Sequence, residues 1–169
     1  MRTKVLIFLI ALSATKIFAC DCKNLGNLKV LQEIEFDNSE CVFIGEVLEI
    51  DSDNNTFKVK VIESFKGNEL GKTYNGIYDK FCGPIIDEKG KWLIYGNFNS
   101  KNQVEINYCG LTRSLSHPEN NVSGSKPPEP LQPYKTESKS QSEKKRIEWI
   151  LRAKSNLENE IIDLRHRTE

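Results

Sequence analysis

Histidine is nearly absent from this chain of 169 residues, which holds only His117 and His166. Neither stands near a plausible nucleophile in sequence, and there is no H-E-x-x-H, no phosphate-binding P-loop and no G-x-S-x-G. Those absences leave the common hydrolytic and nucleotide-dependent chemistries without their groups. The chain therefore reads as a protein that is not an enzyme and needs no cofactor or metal of its own. It also lacks an excess of charge of one sign, with 24 basic against 24 acidic residues. Binding a phosphate backbone needs concentrated positive charge, so nucleic acid is excluded as the expected partner. Beyond residue 19 no run approaches the roughly 20 apolar residues of a spanning helix, so no transmembrane helix is expected.

Residues 1–19 have the form of a secretory signal: Arg2 and Lys4 at the start, an apolar run from Val5 to Ala14, and Ala19 at the end. Cleavage there makes Cys20 the first mature residue and places the protein outside the cell or in the periplasm. Removing Arg2, Lys4 and Lys16 leaves 21 basic against 24 acidic residues, a formal −3. Five cysteines then remain: Cys20, Cys22, Cys41, Cys82 and Cys109. Outside the cytosol cysteines usually pair, and the gaps lack the C-x₂₋₄-C pairs typical of four-sulfur zinc sites. Cys20 and Cys22, one residue apart, do not easily bridge each other, and Cys82 and Cys109 are the evident candidates as their partners.

The mature chain opens with a short amphipathic helix between Leu25 and Phe36, its apolar residues Leu28, Leu31 and Ile34 at helical spacing. Asn38-Ser39 ends it. Cys41 to Ile50 is rich in β-branched and aromatic residues and predicts a long strand, with a bulge or bend at Gly45. After the polar turn 51–55, Thr56 to Phe65 alternates Phe57, Val59 and Val61 with lysines and predicts the second strand of a hairpin. A weaker third strand follows at 73–78, then a strand at 91–95 and its partner at 104–108. Five mostly antiparallel strands in under 110 residues suit a small barrel, whose closure removes exposed edges.

Past Leu115 the composition changes. Five of the six prolines lie between Pro118 and Pro133 among Ser, Asn, Lys and Glu, so residues 115–143 predict a linker that buries little. Residues 144–169 predict a C-terminal amphipathic helix carrying Ile147, Ile150, Leu157, Ile161 and Leu164. Its charges are of mixed sign, which favours packing within the chain or a short coiled coil over a membrane surface. Asp51 and Asp53 lack the spacing and closing glutamate of a calcium loop and read as a solvated turn. Asn54-Asn55-Thr56 and Asn121-Val122-Ser123 are glycosylation sequons only in a eukaryotic secretory path.

Six segments occur in a telling order: Cys20-Asp21-Cys22 at the mature start, Val42-Phe43-Ile44-Gly45-Glu46-Val47, Phe65-Lys66-Gly67, Phe81-Cys82-Gly83, Trp92-Leu93-Ile94-Tyr95, and Tyr108-Cys109-Gly110-Leu111-Thr112-Arg113. Together they resemble the netrin-like domain, in particular the N-terminal domain of tissue inhibitors of metalloproteinases and its exported bacterial relatives. The resemblance spans residues 20–114. It implies a five-stranded OB-fold Greek-key barrel, with Cys20 bridged to Cys82 and Cys22 to Cys109. It also implies a protein partner, an extracellular zinc metalloprotease, whose zinc is chelated by the amine and carbonyl of Cys20 with Asp21 alongside. The family has a small hydroxyl residue where this chain has Asp21, and its second, disulfide-rich domain has no counterpart here.

Two readings of Cys20 remain side by side. Ile17-Phe18-Ala19-Cys20 is also a loose lipobox, with Phe18 uncommon at its position. Acylation there would make the protein a membrane-anchored lipoprotein or structural envelope module without inhibitory activity, and would leave four cysteines, an even number. Bridging of Cys20 instead leaves Cys41 as a small buried hydrophobe.

Overall fold

The computed structural model describes residues 26–67, 69–124, 126–128 and 138–168. Helix α1 spans Leu28–Asn38. The strands are β1 Cys41–Asp51, β2 Thr56–Lys66, β3 Thr73–Ile77, β4 Gly90–Phe98, β5 Val104–Ile106 and β6 Arg113–Ser114. A short 3-10 turn at Pro118–Asn120 and helix α2, Lys139–Thr168, complete the order.

The hairpin of β1 and β2 forms as expected, because the turn between them satisfies itself. The Asp51 carboxylate accepts the Asn54 backbone N–H at 3.1 Å and its side-chain amide at 2.7 Å. These bonds hold the Asp51 carboxyl below its usual range. Asn55 takes the left-handed φ of 54° that the turn requires. The ladder slips at Ile44/Gly45, which is the bulge predicted at Gly45. A Cβ there would lie 2.4 Å from the Val59 side chain and 2.8 Å from Phe43, so only glycine fits.

The strands close on themselves. β1 pairs with β2 on one side and with β4 on the other, both antiparallel. β2 pairs antiparallel with β3, β3 parallel with β5, and β5 antiparallel with β4. The ring β1-β2-β3-β5-β4-β1 is a five-stranded OB-fold barrel, and β6 is added at the far side of β4, Leu93 opposite Arg113.

The barrel encloses one core, with Phe43, Val47, Phe57, Val59, Trp92, Ile94, Val104 and Ile106 among its residues. A second core lies outside the barrel wall. Val42, Ile44, Leu93 and Tyr95 alternate with the inward residues of β1 and β4 and meet Phe65, Leu111 and the α2 residues Leu157, Ile161 and Leu164. Strands buried on both faces read as continuous apolar runs, which explains Val42-Phe43-Ile44 and Trp92-Leu93-Ile94-Tyr95.

Here the sequence expectation needs correction. The segment after residue 114 is not wholly a linker that buries little, whereas the C-terminal helix does pack within the chain, one of the two readings its mixed charges favoured. Pro118 is buried in its 3-10 turn. The Asn121 side chain donates to the carbonyls of Gly110 and Thr112, each at 2.9 Å. The amide nitrogen that a glycan would modify is thus committed to the backbone. Helix α2 starts at Lys139, and its buried residues are Ala153, Leu157, Glu160, Ile161 and Leu164. Ile147, expected on the apolar stripe, is 47% exposed. Arg165 grips Glu63 of β2 with two bonds of 2.7 and 2.8 Å at the surface.

The face of α1 differs too. Leu28, Leu31 and Phe36 pack on the second core, whereas Ile34 is 37% exposed. Its place is taken by polar residues. Gln32 donates to Glu160 at 2.8 Å, and the buried Glu35 carboxylate accepts from Asn107 at 3.0 Å.

Fully burying a Leu or Ile side chain stabilises by roughly 1.5–3 kcal/mol. Losing Leu157, Ile161 and Leu164 together therefore removes an amount comparable to the 5–15 kcal/mol margin of a typical domain. A fragment of residues 20–114 should accordingly fail to melt cooperatively, while residues 20–169 do so. Thermal unfolding followed by circular dichroism compares them. A fragment as stable as the full chain would contradict this packing.

Candidate functional site

The residues Cys20, Asp21 and Cys22 lie outside the described residues. The places expected to receive them, Cys82 and Cys109, come together at one end of the barrel. Cys82 sits in a tight loop after β3. The Asp79 carboxylate accepts the backbone N–H groups of Phe81 at 2.6 Å and Cys82 at 2.8 Å. The Gly83 N–H closes the same loop onto the Asp79 carbonyl at 3.3 Å. Cys109 follows β5, and its N–H donates to the Cys82 carbonyl at 2.8 Å. Residues 27 apart in sequence are thereby held side by side.

Cys109 adopts a left-handed φ of 55°, unusual for a residue with a side chain. The surrounding structure fixes it. Gly110 donates to the Asn107 carbonyl at 3.2 Å. A Cβ on Gly110 would come within 2.4 Å of the Glu35 carboxylate, so the glycine lets α1 close onto this corner. Asn107 ties the corner down, donating to Glu35 at 3.0 Å and to the Ser39 hydroxyl at 2.8 Å. It also accepts from Asn97 at 2.7 Å. Burial pushes the Glu35 carboxyl up, and the bond from Asn107 offsets part of that shift.

Around the two cysteines the surface is apolar. Phe81 is 79% exposed, Tyr108 58%, Val122 59% and Ile85 45%. Exposed apolar side chains gathered in one place mark interaction sites. Beside them lies a cavity of about 480 Å³, lined by Cys82, Cys109, Trp92, Arg113, Val122 and Trp149 among others. Sequence reading missed this cavity, since its walls come from the barrel, the segment after β6 and α2. Cys41, in contrast, is fully buried in the barrel core, where its thiol donates to the Gly96 carbonyl at 3.3 Å. That position suits a small core residue. Among the described residues no group of three or more His, Cys, Asp or Glu is arranged to hold a metal ion, and none of the helices is long and apolar enough to cross a membrane.

One titrating pair borders the cavity. His117 Nδ1 lies 3.0 Å from both carboxylate oxygens of Glu88, which also accepts from the Ser114 hydroxyl. Burial works against the Glu88 anion, but the bonds from Ser114 and His117 prevail and hold its carboxyl below the usual range. The bond to Glu88 raises the exposed His117. A raised histidine stabilises the fold below its ordinary value, and that contribution disappears as pH rises through the raised one. An NMR titration of His117 should give a midpoint above the ordinary 6.5, returning towards it in Glu88→Gln. An unshifted midpoint in the wild type would show that the pair does not form in solution.

A scan against models of protein families and a search of curated proteins each return no match for this chain.

Proposed function

We propose that the protein is an exported, disulfide-stapled module of the netrin-like kind that binds another protein through the end of the barrel carrying Cys82 and Cys109. The observation that carries this reading is the 2.8 Å bond from the Cys109 N–H to the Cys82 carbonyl. It sets two cysteines next to each other, as a Cys-x-Cys start needs if both of its cysteines are to be fixed to one edge. The exposed Phe81 and Tyr108 on the same edge supply apolar area for a partner. In this reading Cys20 pairs with Cys82 and Cys22 with Cys109. Each bridge closes a loop of more than 60 residues, worth about 4 kcal/mol in the chain-entropy model.

The sharper form of the proposal is inhibition of an extracellular zinc metalloprotease. An uncharged N-terminal amine and the Cys20 carbonyl oxygen would form a five-membered chelate on the protease's zinc and displace its water. Staples at both cysteines would hold that chelate rigid in advance, which lowers the entropic cost of binding. Asp21 opposes this step. Its carboxylate would face the protease's own catalytic carboxylate, and like charges in a desolvated site cost several kcal/mol.

Intact mass of the protein from its native host reads the state of Cys20. A mass equal to residues 20–169 less four hydrogens is expected, with peptide mapping recovering the two pairs and Cys41 as a thiol. A mass raised by lipid on Cys20 would exclude chelation and point to an envelope-anchored module. With the amine available, Asp21→Thr should tighten inhibition of a panel of zinc proteases by about tenfold or more. No inhibition by either form, with the fold intact, would sink the inhibitor reading for those proteases.

A further inference from the structure

The first turns of α2 stand clear of the barrel. The helix opens on a capping box, in which the Ser138 N–H donates to the Gln141 side chain at 3.0 Å and the Gln141 N–H to the Ser138 hydroxyl at 3.3 Å. Residues 139–148 are all exposed, and the first buried residue of the helix is Ala153. Ten helical residues rise about 15 Å, and a helix of that length is marginal in water on its own. Lys144, Ile147, Leu151 and Lys154 recur at spacings of three and four, which sets them on one face. Ile147 is 47% exposed and Leu151 61%, so two aliphatic side chains lie in water between two cations. The root of this arm is fixed, with Arg152 donating to the Lys126 carbonyl at 3.2 Å and Asn156 to the Gly124 carbonyl at 3.5 Å.

The cysteine corner presents the opposite charge around its exposed rings. The Asp79 carboxylate accepts the Phe81 N–H, and Glu105 accepts from the Tyr108 hydroxyl at 3.4 Å. Asp87 lines the same cavity as Phe81. Against these three carboxylates stands Lys80, 5.4 Å from the Phe81 ring. The Glu105 charge, then partial desolvation and the Asp79 charge, push the Tyr108 phenol up. Charge is divided in the same sense over the whole chain. Residues 139–154 hold six basic and two acidic residues, a formal +4, which leaves the rest of residues 20–169 with 15 against 22, a formal −7. Exposed apolar area among charges of one sign suits a surface with apolar area and the other sign. This chain carries both.

We propose that two copies of the chain pair by exchanging these surfaces, the Lys144-Ile147-Leu151-Lys154 stripe of each seated on the Phe81 and Tyr108 corner of the other. Trp149 of the arm and Phe81 of the corner border one cavity, so one two-fold axis makes both contacts at once, as a closed isologous pair requires. The lysines then meet Asp79, Asp87 and Glu105. An arm-to-arm pair that matched Ile147 with Leu151 would instead bring Lys144 against Lys154, and like charges so placed repel. The pairing does not depend on a foreign protein docking at the corner, and such a protein would compete with the second copy.

Sedimentation equilibrium of residues 20–169 over a wide range of concentration tests the pairing. The mass should double reversibly, and raising the salt from about 0.1 M to about 1 M should weaken the dimer about tenfold, because it screens the facing charges. Leu151→Glu on the arm and Phe81→Ser on the corner, both at exposed positions, should each weaken it by about tenfold or more. Their circular dichroism spectra should match the wild type. An equimolar mixture of the two variants should regain part of the dimer, since one copy keeps its arm and the other its corner. A monomer at every concentration would overturn the proposal. A dimer lost in Leu151→Glu but intact in Phe81→Ser would overturn it in favour of arm-to-arm pairing, and a mixture no better than either variant alone would contradict the exchange.

Discussion

The ion pair between Arg113 of β6 and Glu160 of α2 is the interaction on which the rest of this structure depends. Each side chain is only 2% exposed. Moving either charge from water into such a place costs several kcal/mol, and only a close partner with further hydrogen bonds can offset that cost. Glu160 has those bonds. The Tyr95 hydroxyl donates to one oxygen at 2.6 Å, and Gln32 donates to the other at 2.8 Å beside Arg113. Burial and the neighbouring Glu160 charge push the Tyr95 phenol far up, so it remains a donor at any physiological pH. One carboxylate thus joins α1, β4, β6 and α2, and the apolar contacts of Leu157, Ile161 and Leu164 form around it.

That junction reaches the cysteine corner through short links. Thr112, next to Arg113, accepts the Tyr95 N–H at 2.8 Å and donates to the Tyr95 carbonyl at 3.1 Å, locking β4 to the segment that follows Cys109. On the other side, α1 is held against α2 by Gln32 and offers Glu35 to Asn107, two residues before Cys109. The helices are therefore supports for the corner where the mature N-terminus is proposed to attach. An N-terminus used as a rigid chelator needs such supports, because its geometry is only as fixed as the residues that anchor it.

Much of the barrel was legible in the sequence. Period-two alternation placed the β1–β2 hairpin, and Gly45 announced its bulge. The double-sided burial of β1 and β4 follows from their unbroken apolar runs. The face of α1 was not legible, because hydrophobic periodicity pointed to Ile34, whereas the face is decided by Gln32 and Glu35. Their partners, Glu160 and Asn107, lie 128 and 72 residues away. A polar residue in a core declares itself only through its partner, and no local pattern names that partner. The same limit hid where α2 docks: Glu160 sits among the charges of a mixed helix face, and Arg113 is one of 24 basic residues. At the candidate site the sequence named Cys82 and Cys109 as the expected partners of Cys20 and Cys22, and the structure sets those two side by side. The cavity was hidden because its walls come from four separate segments of the chain.

A double-mutant cycle on Arg113 and Glu160 tests the central claim most directly. Arg113→Met and Glu160→Leu should each lose about 3–5 kcal/mol of unfolding free energy in urea, since each leaves the other charge buried and alone. The double variant should lose far less than the sum, because two apolar side chains of similar length fill the space without any stranded charge. Small and additive losses would contradict the account, for they would mean that the helix is not keyed to the barrel by this pair.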